Sequence, residues 1–373
     1  MRSRAFPAAL TLAALLAGAC TKALPASPGN ATSGGSSTGA GAGASASASS
    51  SASTGGGATS GEIVLPDALH GAGFDDLRFS PELDRVLVPA AQSGHVDLIA
   101  PGSNAVTAIG GFSAAPAFAG GHDFGVTSVD FGAGALFATD RTTGLLAVVD
   151  PAAQKIVGSV KLGAGPDYVR WVAPTREVWV TEPDSDRIEV FSVPSGQNPV
   201  PVHAATIAVA GGPESLIIDA SRGRAYTHLW RGTTKAIDLK SRALVASWPN
   251  GCSGSRGIDL DEKRGFLFVG CAEGRAVVLD VSTGAILSSL SNGAGVDVIA
   301  YSPGLGHLYL PGATSKTMAI LGVSAKGQLS LLGTVPTAPG AHCATTDTRG
   351  NVYVCAPESG KILTFHDAYP QSL

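Results

Sequence analysis

From Glu62 onward, apolar residues alternate with polar ones in short runs separated by turns rich in Gly, Pro, Asp and Ser. Alternation with a period of two puts successive side chains on opposite faces of an extended chain, the pattern of a strand. The 3.6-residue spacing of an amphipathic helix is missing from this region. The runs recur as a unit: a first alternating run, a polar turn, a run rich in Val, Phe, Tyr or Trp, a second turn, and a third run ending near Asp. The clearest copy is GPDYVRWVAPTREVWVTEPDSDRIEVFSV, beginning at Gly165.

First runs align on Phe74, Val126, Pro166, Pro213, Ser255, Val296 and Ala341, at intervals of 40 to 52 residues. Middle runs follow at Val86-Leu87-Val88, Leu136-Phe137-Ala138, Val178-Trp179-Val180, Ala225-Tyr226-Thr227, Phe266-Leu267-Phe268, Leu308-Tyr309-Leu310 and Val352-Tyr353-Val354. β-branched, aromatic and apolar triplets bracketed by turn residues are what strands packed on both faces require. A period of roughly 40–50 residues with several short strands per unit is that of propeller blades. The chain is therefore expected to be all-β, a seven-bladed β-propeller over residues 62–373. The seventh copy leaves only HDAYPQSL after Phe365, while Ile63-Val64-Leu65 stands alone ahead of the first. The N-terminal strand is expected to complete blade 7 and so remove two open sheet edges.

These copies resemble the YVTN-repeat family of seven-bladed, YncE-like propellers from bacterial envelopes. The likeness rests on Val178-Trp179-Val180-Thr181-Glu182-Pro183 followed by Ile188-Glu189-Val190, and on the lead-ins Gly163-Ala164-Gly165-Pro166 and Gly211-Gly212-Pro213. Blade 6 (Leu308-Tyr309-Leu310-Pro311) and blade 1 (Val88-Pro89) depart from that pattern. The resemblance implies a fold and a compartment more than a ligand, because sites are grafted onto folds.

The N-terminus reads as an address. Arg2 and Arg4 precede an apolar run from Ala5 to Ala19, too short to span a bilayer and suited to a secretory signal over residues 1–19. The run ends Leu16-Ala17-Gly18-Ala19-Cys20, which resembles a bacterial lipobox with Cys20 as the lipidated residue; a plain signal peptide cleaved after Ala19 is the alternative. Thr21 rather than Asp follows, which in Gram-negative lipoproteins accompanies sorting to the outer membrane. Residues 20–61 then form a Gly/Ser/Ala linker with Lys22 as its only charge, expected to be disordered. Such a coil spans about 35 Å, from roughly 5–6 Å times the square root of its length.

Composition narrows the function. Only 14% of residues are charged, and the net charge is −4, or −6 without Arg2 and Arg4. A binder of nucleic acid needs a basic stripe to displace counterions, so no nucleic acid partner is expected. Four cysteines besides Cys20, in an oxidising compartment, favour disulfides. Cys252–Cys271 and Cys343–Cys355 are the expected pairs, with other connectivities open and a zinc site from Cys343, Cys355 and His342 as the sharper alternative. No nucleophile elbow or phosphate-binding loop occurs.

Repeat register supplies the candidate site. One position near the start of each first run holds Asp75, Thr127, Asp167, Glu214, Arg256, Asp297 and His342. Innermost strands line a propeller's channel, so these side chains are expected to converge on one rim. They could bind a polar ligand through Arg256 and His342. Alternatively, Asp75, Asp167, Glu214 and Asp297 could hold Ca2+ for metal-dependent hydrolysis of an ester or lactone. A third alternative is that the position is simply polar and solvated. Loops after the middle runs should share this face: Asp140-Arg141, Glu182–Asp186, Trp230-Arg231, Glu273 and Glu358. Trp230 and Arg231 form a candidate partner face, since Trp and Arg dominate interface hot spots. His122-Asp123 also precedes an inner run, and Trp171, Trp179 and Trp248 are expected between blades. The expected protein is a monomeric, lipid-anchored envelope binding or scaffolding module for a protein or small ligand. The membrane is touched through the lipid alone, and no catalysis or cofactor is assigned.

Overall fold

Seven four-stranded antiparallel sheets make up the ring, six of them from consecutive strands and the seventh from both ends of the chain. The structure is a computed structural model describing residues 60–68, 70–197 and 199–372. The expected signal segment (1–19), Cys20 and the linker as far as residue 59 lie outside the described residues. Inner strands run Arg78–Ser80, Val126–Gly132, Val169–Val172, Ile217–Asp219, Ser255–Asp261, Ala300–Ser302 and Ala344–Thr346. Among the described residues, no helix is long and apolar enough to cross a membrane.

Position within a blade dictates composition. Second strands lie between neighbouring blades, and Ala135–Asp140, Glu177–Glu182, Phe266–Cys271 and His307–Gly312 are buried at every residue. That is why the sequence places continuous apolar and aromatic triplets there. Fourth strands such as Leu244–Pro249 and Ile286–Ser291 turn one face to solvent and carry mixed residues. In blades 2 to 6 the ladder between third and fourth strands slips once, at Val148/Val149, Val190/Phe191, Ala236/Ile237, Val278/Leu279 and Ile320/Leu321. A bulge at one shared position adds twist to each blade in the same way.

Polar side chains on inner strands tie blade 2 to blade 3 and blade 5 to blade 6. The Asp130 carboxylate accepts the Trp171 N–H at 2.8 Å, the Asp259 carboxylate accepts that of Tyr301 at 2.6 Å, and Ser128 Oγ accepts that of Val169 at 2.9 Å. Trp179 is fully buried, whereas Trp171 and Trp248 are half-buried. Trp171 lies over Gly132 and stacks on Phe137 at 6.0 Å. Both half-buried rings thus cover the margin of an interface instead of filling it.

The closure expected for blade 7 is present. Ser60–Val64 is its outermost strand, antiparallel to Lys361–His366 with Ser60 opposite Phe365 and Val64 opposite Lys361. The strand begins two residues ahead of Glu62, where the sequence pattern alone set the boundary. The C-terminal residues do not form a further strand. They fold back on blade 6, where Asp367 accepts the Tyr309 hydroxyl at 2.6 Å and Ser372 N–H donates to Leu305 O at 2.9 Å. The Tyr369 hydroxyl sits so close to Gly333 that a Cβ there would lie 1.9 Å from it. Disulfides join Cys252 to Cys271 and Cys343 to Cys355, with Cα separations of 5.3 and 5.6 Å.

Candidate functional site

At the channel mouth, five of the seven aligned positions fall ahead of the regular inner strand; only Thr127 and Arg256 lie within theirs. The lead-in pairs irregularly, which turns its side chains toward the mouth. Asp167 and Glu214 donate their backbone N–H groups to Thr181 O and His228 O at 2.8 Å, and the register slips between Ser255 and Ile258. Gly257 lets blades 5 and 6 meet here, since a Cβ on it would stand 2.2 Å from Asp297 O.

All seven side chains fall into one connected cluster, and two groups outside the aligned position join them. Arg141 leaves the end of a second strand on a turn held by Asp140, whose carboxylate accepts the N–H groups of Thr142, Thr143 and Ser113 at 2.8–3.1 Å. Its guanidinium bridges Asp75, at 2.9 Å, and Asp167, and also bonds Thr127 Oγ1 at 2.9 Å. His122 Nδ1 lies 3.2 Å from Asp75, and its Nε2 lies 3.9 Å from Asp297. Arg256 stands 3.6 Å from both Glu214 and Asp297, and its guanidinium carbon lies over the Trp230 ring, 4.4 Å from the centroid. His342 stacks on His122, with ring centroids 5.5 Å apart, while both its nitrogens face backbone oxygens, Gly340 O at 2.6 Å and Phe74 O at 2.9 Å.

Sequence alignment of the repeats misses Arg141 and His122 as members because neither occupies the aligned position. Their signals were the loop assignment of Asp140-Arg141 and the His122-Asp123 doublet before an inner run. A second cluster has no signal in the repeat register. One residue further in, Asp76 receives Arg170, whose Nη2 donates at 2.8 Å, and the Ser128 hydroxyl at 2.5 Å. Arg170 Nε donates to Leu216 O at 2.9 Å. Neighbouring Asp75-Asp76 carboxylates thus serve the mouth and the channel wall separately.

Packing so many charges together divides their titration. Burial alone would raise Asp75, but the charges on His122 and Arg141 outweigh it and hold the carboxyl at about 2. The Asp75 charge in turn pushes His122 up to about 9. Burial, with Asp167 and Asp297 adding repulsion, lifts Glu214 to about 9. Burial also lifts Asp167 to about 7 against the pull of Arg141, and it raises Asp297. The mouth therefore keeps its cations charged while several carboxyls resist ionisation.

Metal ligation competes with these bonds. Arg141 already occupies the space between Asp75 and Asp167 with a fixed positive charge. His122, Asp297 and His342 bring ligand atoms within 4.8 Å of one another, but both His342 nitrogens are turned to carbonyl oxygens. The alternative zinc set has its sulfurs joined to each other, with Cys355 Sγ 3.9 Å from His342 Nδ1.

Beside the cluster opens a cleft of about 420 Å³, bordered by His122, Arg256, Asp297, His342 and Glu358 with Phe118 and Val296. Trp230 is 41% exposed next to it, and Arg231 is exposed. A larger cavity of about 680 Å³ lies beyond Asp76 and Arg170, toward the turns of blades 6, 7 and 1 around Arg349.

No family model matches this chain, and no curated protein matches it. Solved structures share its fold. A chain of a mitotic checkpoint complex superposes with a TM-score of 0.68 at 14% identity, covering 83% of this chain and 91% of that one. A chain of Kuenenia stuttgartiensis hydrazine synthase gives 0.66 at 14% identity over 80% and 96% of the two chains. The β-propeller domain of Myceliophteria thermophila Cps50 (Swd1) gives 0.63 at 14% identity over 80% and 97%. At that identity the likeness establishes the seven-bladed propeller and nothing finer.

Proposed function

We propose that this chain is a binding module of the cell envelope, lipid-anchored at Cys20, whose channel-mouth face recognises its ligand. One observation carries the reading: seven blades contribute to a single cluster of charged side chains around one mouth, beside an open cleft and an exposed Trp230. Buried charge of this density costs stability unless paired, and uncharged residues would close a ring as well. The YVTN-like repeats and the residues before Cys20 support an envelope lipoprotein, and Thr21 after it supports sorting to the outer membrane. The propeller neighbours that sit in protein complexes support a scaffold that works through contact.

The test places a photo-crosslinking residue at Trp230 or at Arg349, on the other face, in the full chain within its native envelope. Adducts from position 230 that vanish when Arg256→Glu is added, with none from position 349, are the expected result. Equal adducts from both positions, or from neither, overturn the reading. A metal-dependent hydrolase is the competing reading, favoured by the closeness of His122, Asp297 and His342. It requires about one divalent ion per purified chain and a melting temperature that falls on chelation.

A further inference from the structure

Resting on the reading that the mouth face binds, we propose that the cleft between Arg256 and His122 takes the carboxylate of a ligand with an apolar body. Arg256 has five N–H donors in a rigid fork. Among the described residues none of them makes a hydrogen bond; the nearest acceptors, on Glu214 and Asp297, are 3.6 Å away. His122 Nε2 is equally unused, 3.9 Å from Asp297. Two cationic groups with idle donors therefore flank one cleft. The Trp230 ring, 4.4 Å from the Arg256 guanidinium carbon, holds that group by a cation–π contact that uses none of its N–H donors, and a guanidinium with idle donors can meet a planar carboxylate with two parallel bonds.

The walls specify the rest of the ligand. Phe118, Val296, Ala313 and Pro357 line the cleft with apolar surface, and its volume of about 420 Å³ lies in the range of small-ligand sites, roughly 300–1,000 Å³. Asp297 and Glu358 also border it, so a doubly charged phosphate meets repulsion that a monoanion largely escapes. His122 held charged and Glu214 held neutral leave Arg256 without a full counter-charge, which favours an incoming anion. The carboxylate could belong to the end of a peptide chain or to a free organic acid.

Titration of the full chain with N-acetylphenylalanine, 3-phenylpropionate, N-acetylphenylalaninamide and inorganic phosphate separates these outcomes, with Trp fluorescence and calorimetry as readouts. Both carboxylates are expected to saturate the protein below about 10 mM, a weak but measurable affinity. The amide and phosphate are expected to bind at least tenfold more weakly. Tenfold tighter binding of the acetylated amino acid than of 3-phenylpropionate identifies a chain end as the source, and the reverse a free acid. Arg256→Gln and, separately, His122→Asn are expected to weaken binding at least tenfold in protein that still melts cooperatively, whereas Arg349→Gln leaves binding intact. If one variant fails to fold, the other carries the test. Equal binding of acid and amide, or no saturation by either acid, overturns the proposal. If position 230 still crosslinks while neither acid binds, the mouth face remains the binding face and only the carboxylate assignment falls.

Discussion

Arg141 is the side chain on which the channel mouth depends. It alone bridges Asp75 and Asp167, both buried, so its loss leaves two carboxyls without their shared cation. Breaking a buried pair on one side costs about 3–5 kcal/mol. Arg141→Leu is therefore predicted to lose stability on that scale in urea titration, and adding Asp75→Asn should restore part of it. A change below about 1 kcal/mol would show that solvent reaches the pair. Acid and base behave oppositely at this cluster. Asp75, held at about 2 against an ordinary 3.8, contributes stability above 3.8 that is lost as the pH falls toward 2. Glu214, raised from 4.5 to about 9, and His122, raised from 6.5 to about 9, act the other way. Their contributions are complete below those ordinary values and disappear as the pH climbs to 9. The melting temperature is thus predicted to peak near pH 4–5 and fall toward pH 9, and Glu214→Gln should flatten that fall. A wild-type melt level from pH 5 to 9 contradicts the assignment. None of this was legible at Glu214 or Asp75 alone, because the repeats show which residues share a position but not which loop residue reaches over to them.

Elements were far easier to read than contacts. Each middle triplet lies within a second strand because those strands are packed on both faces, a demand that admits few residue types. In five blades the regular inner strand begins later than the alternating run that precedes it. Their lead-ins carry the same alternation, yet they bond across irregular gaps, so regular pairing starts only at residues such as Arg78 or Ala300. Ile63-Val64-Leu65 was readable as the missing strand because a ring with an odd edge must be closed by something. Ile63 and Leu65 are buried against blade 7, whereas Val64 points outward. Chain ends meeting in one blade make closure a long-range event. A chain beginning at residue 66 is predicted to lose the hydrogen bonds of five residue pairs, expose the Lys361–His366 edge, and melt several degrees lower with aggregation. Supplying residues 60–65 as a peptide should recover part of the loss. An unchanged melt in the shortened chain is the contrary outcome.

At the scale of the whole molecule, the two ends of the chain have different tasks. The strand Ser60–Val64 is the outermost of its blade, so the described residues begin at the circumference of the ring. Net charge offers the domain itself no attraction to anionic lipid, since a basic patch is what such surfaces select. On the proposed reading, a lipid on Cys20 is therefore the sole hold. One acyl chain gives marginal binding, whereas the multiple chains of a lipoprotein give stable anchoring. The full chain is accordingly predicted to sediment with membranes and to resist a high-salt wash. Cys20→Ser should move it into the soluble fraction with its melting temperature unchanged, because residue 20 lies outside the propeller. Retention of Cys20→Ser in the pellet after a salt wash would mean that the propeller grips the membrane directly. In that case the exposed Trp230 side would have to be reread as a lipid-facing surface, and the crosslinks from position 230 would be to lipid.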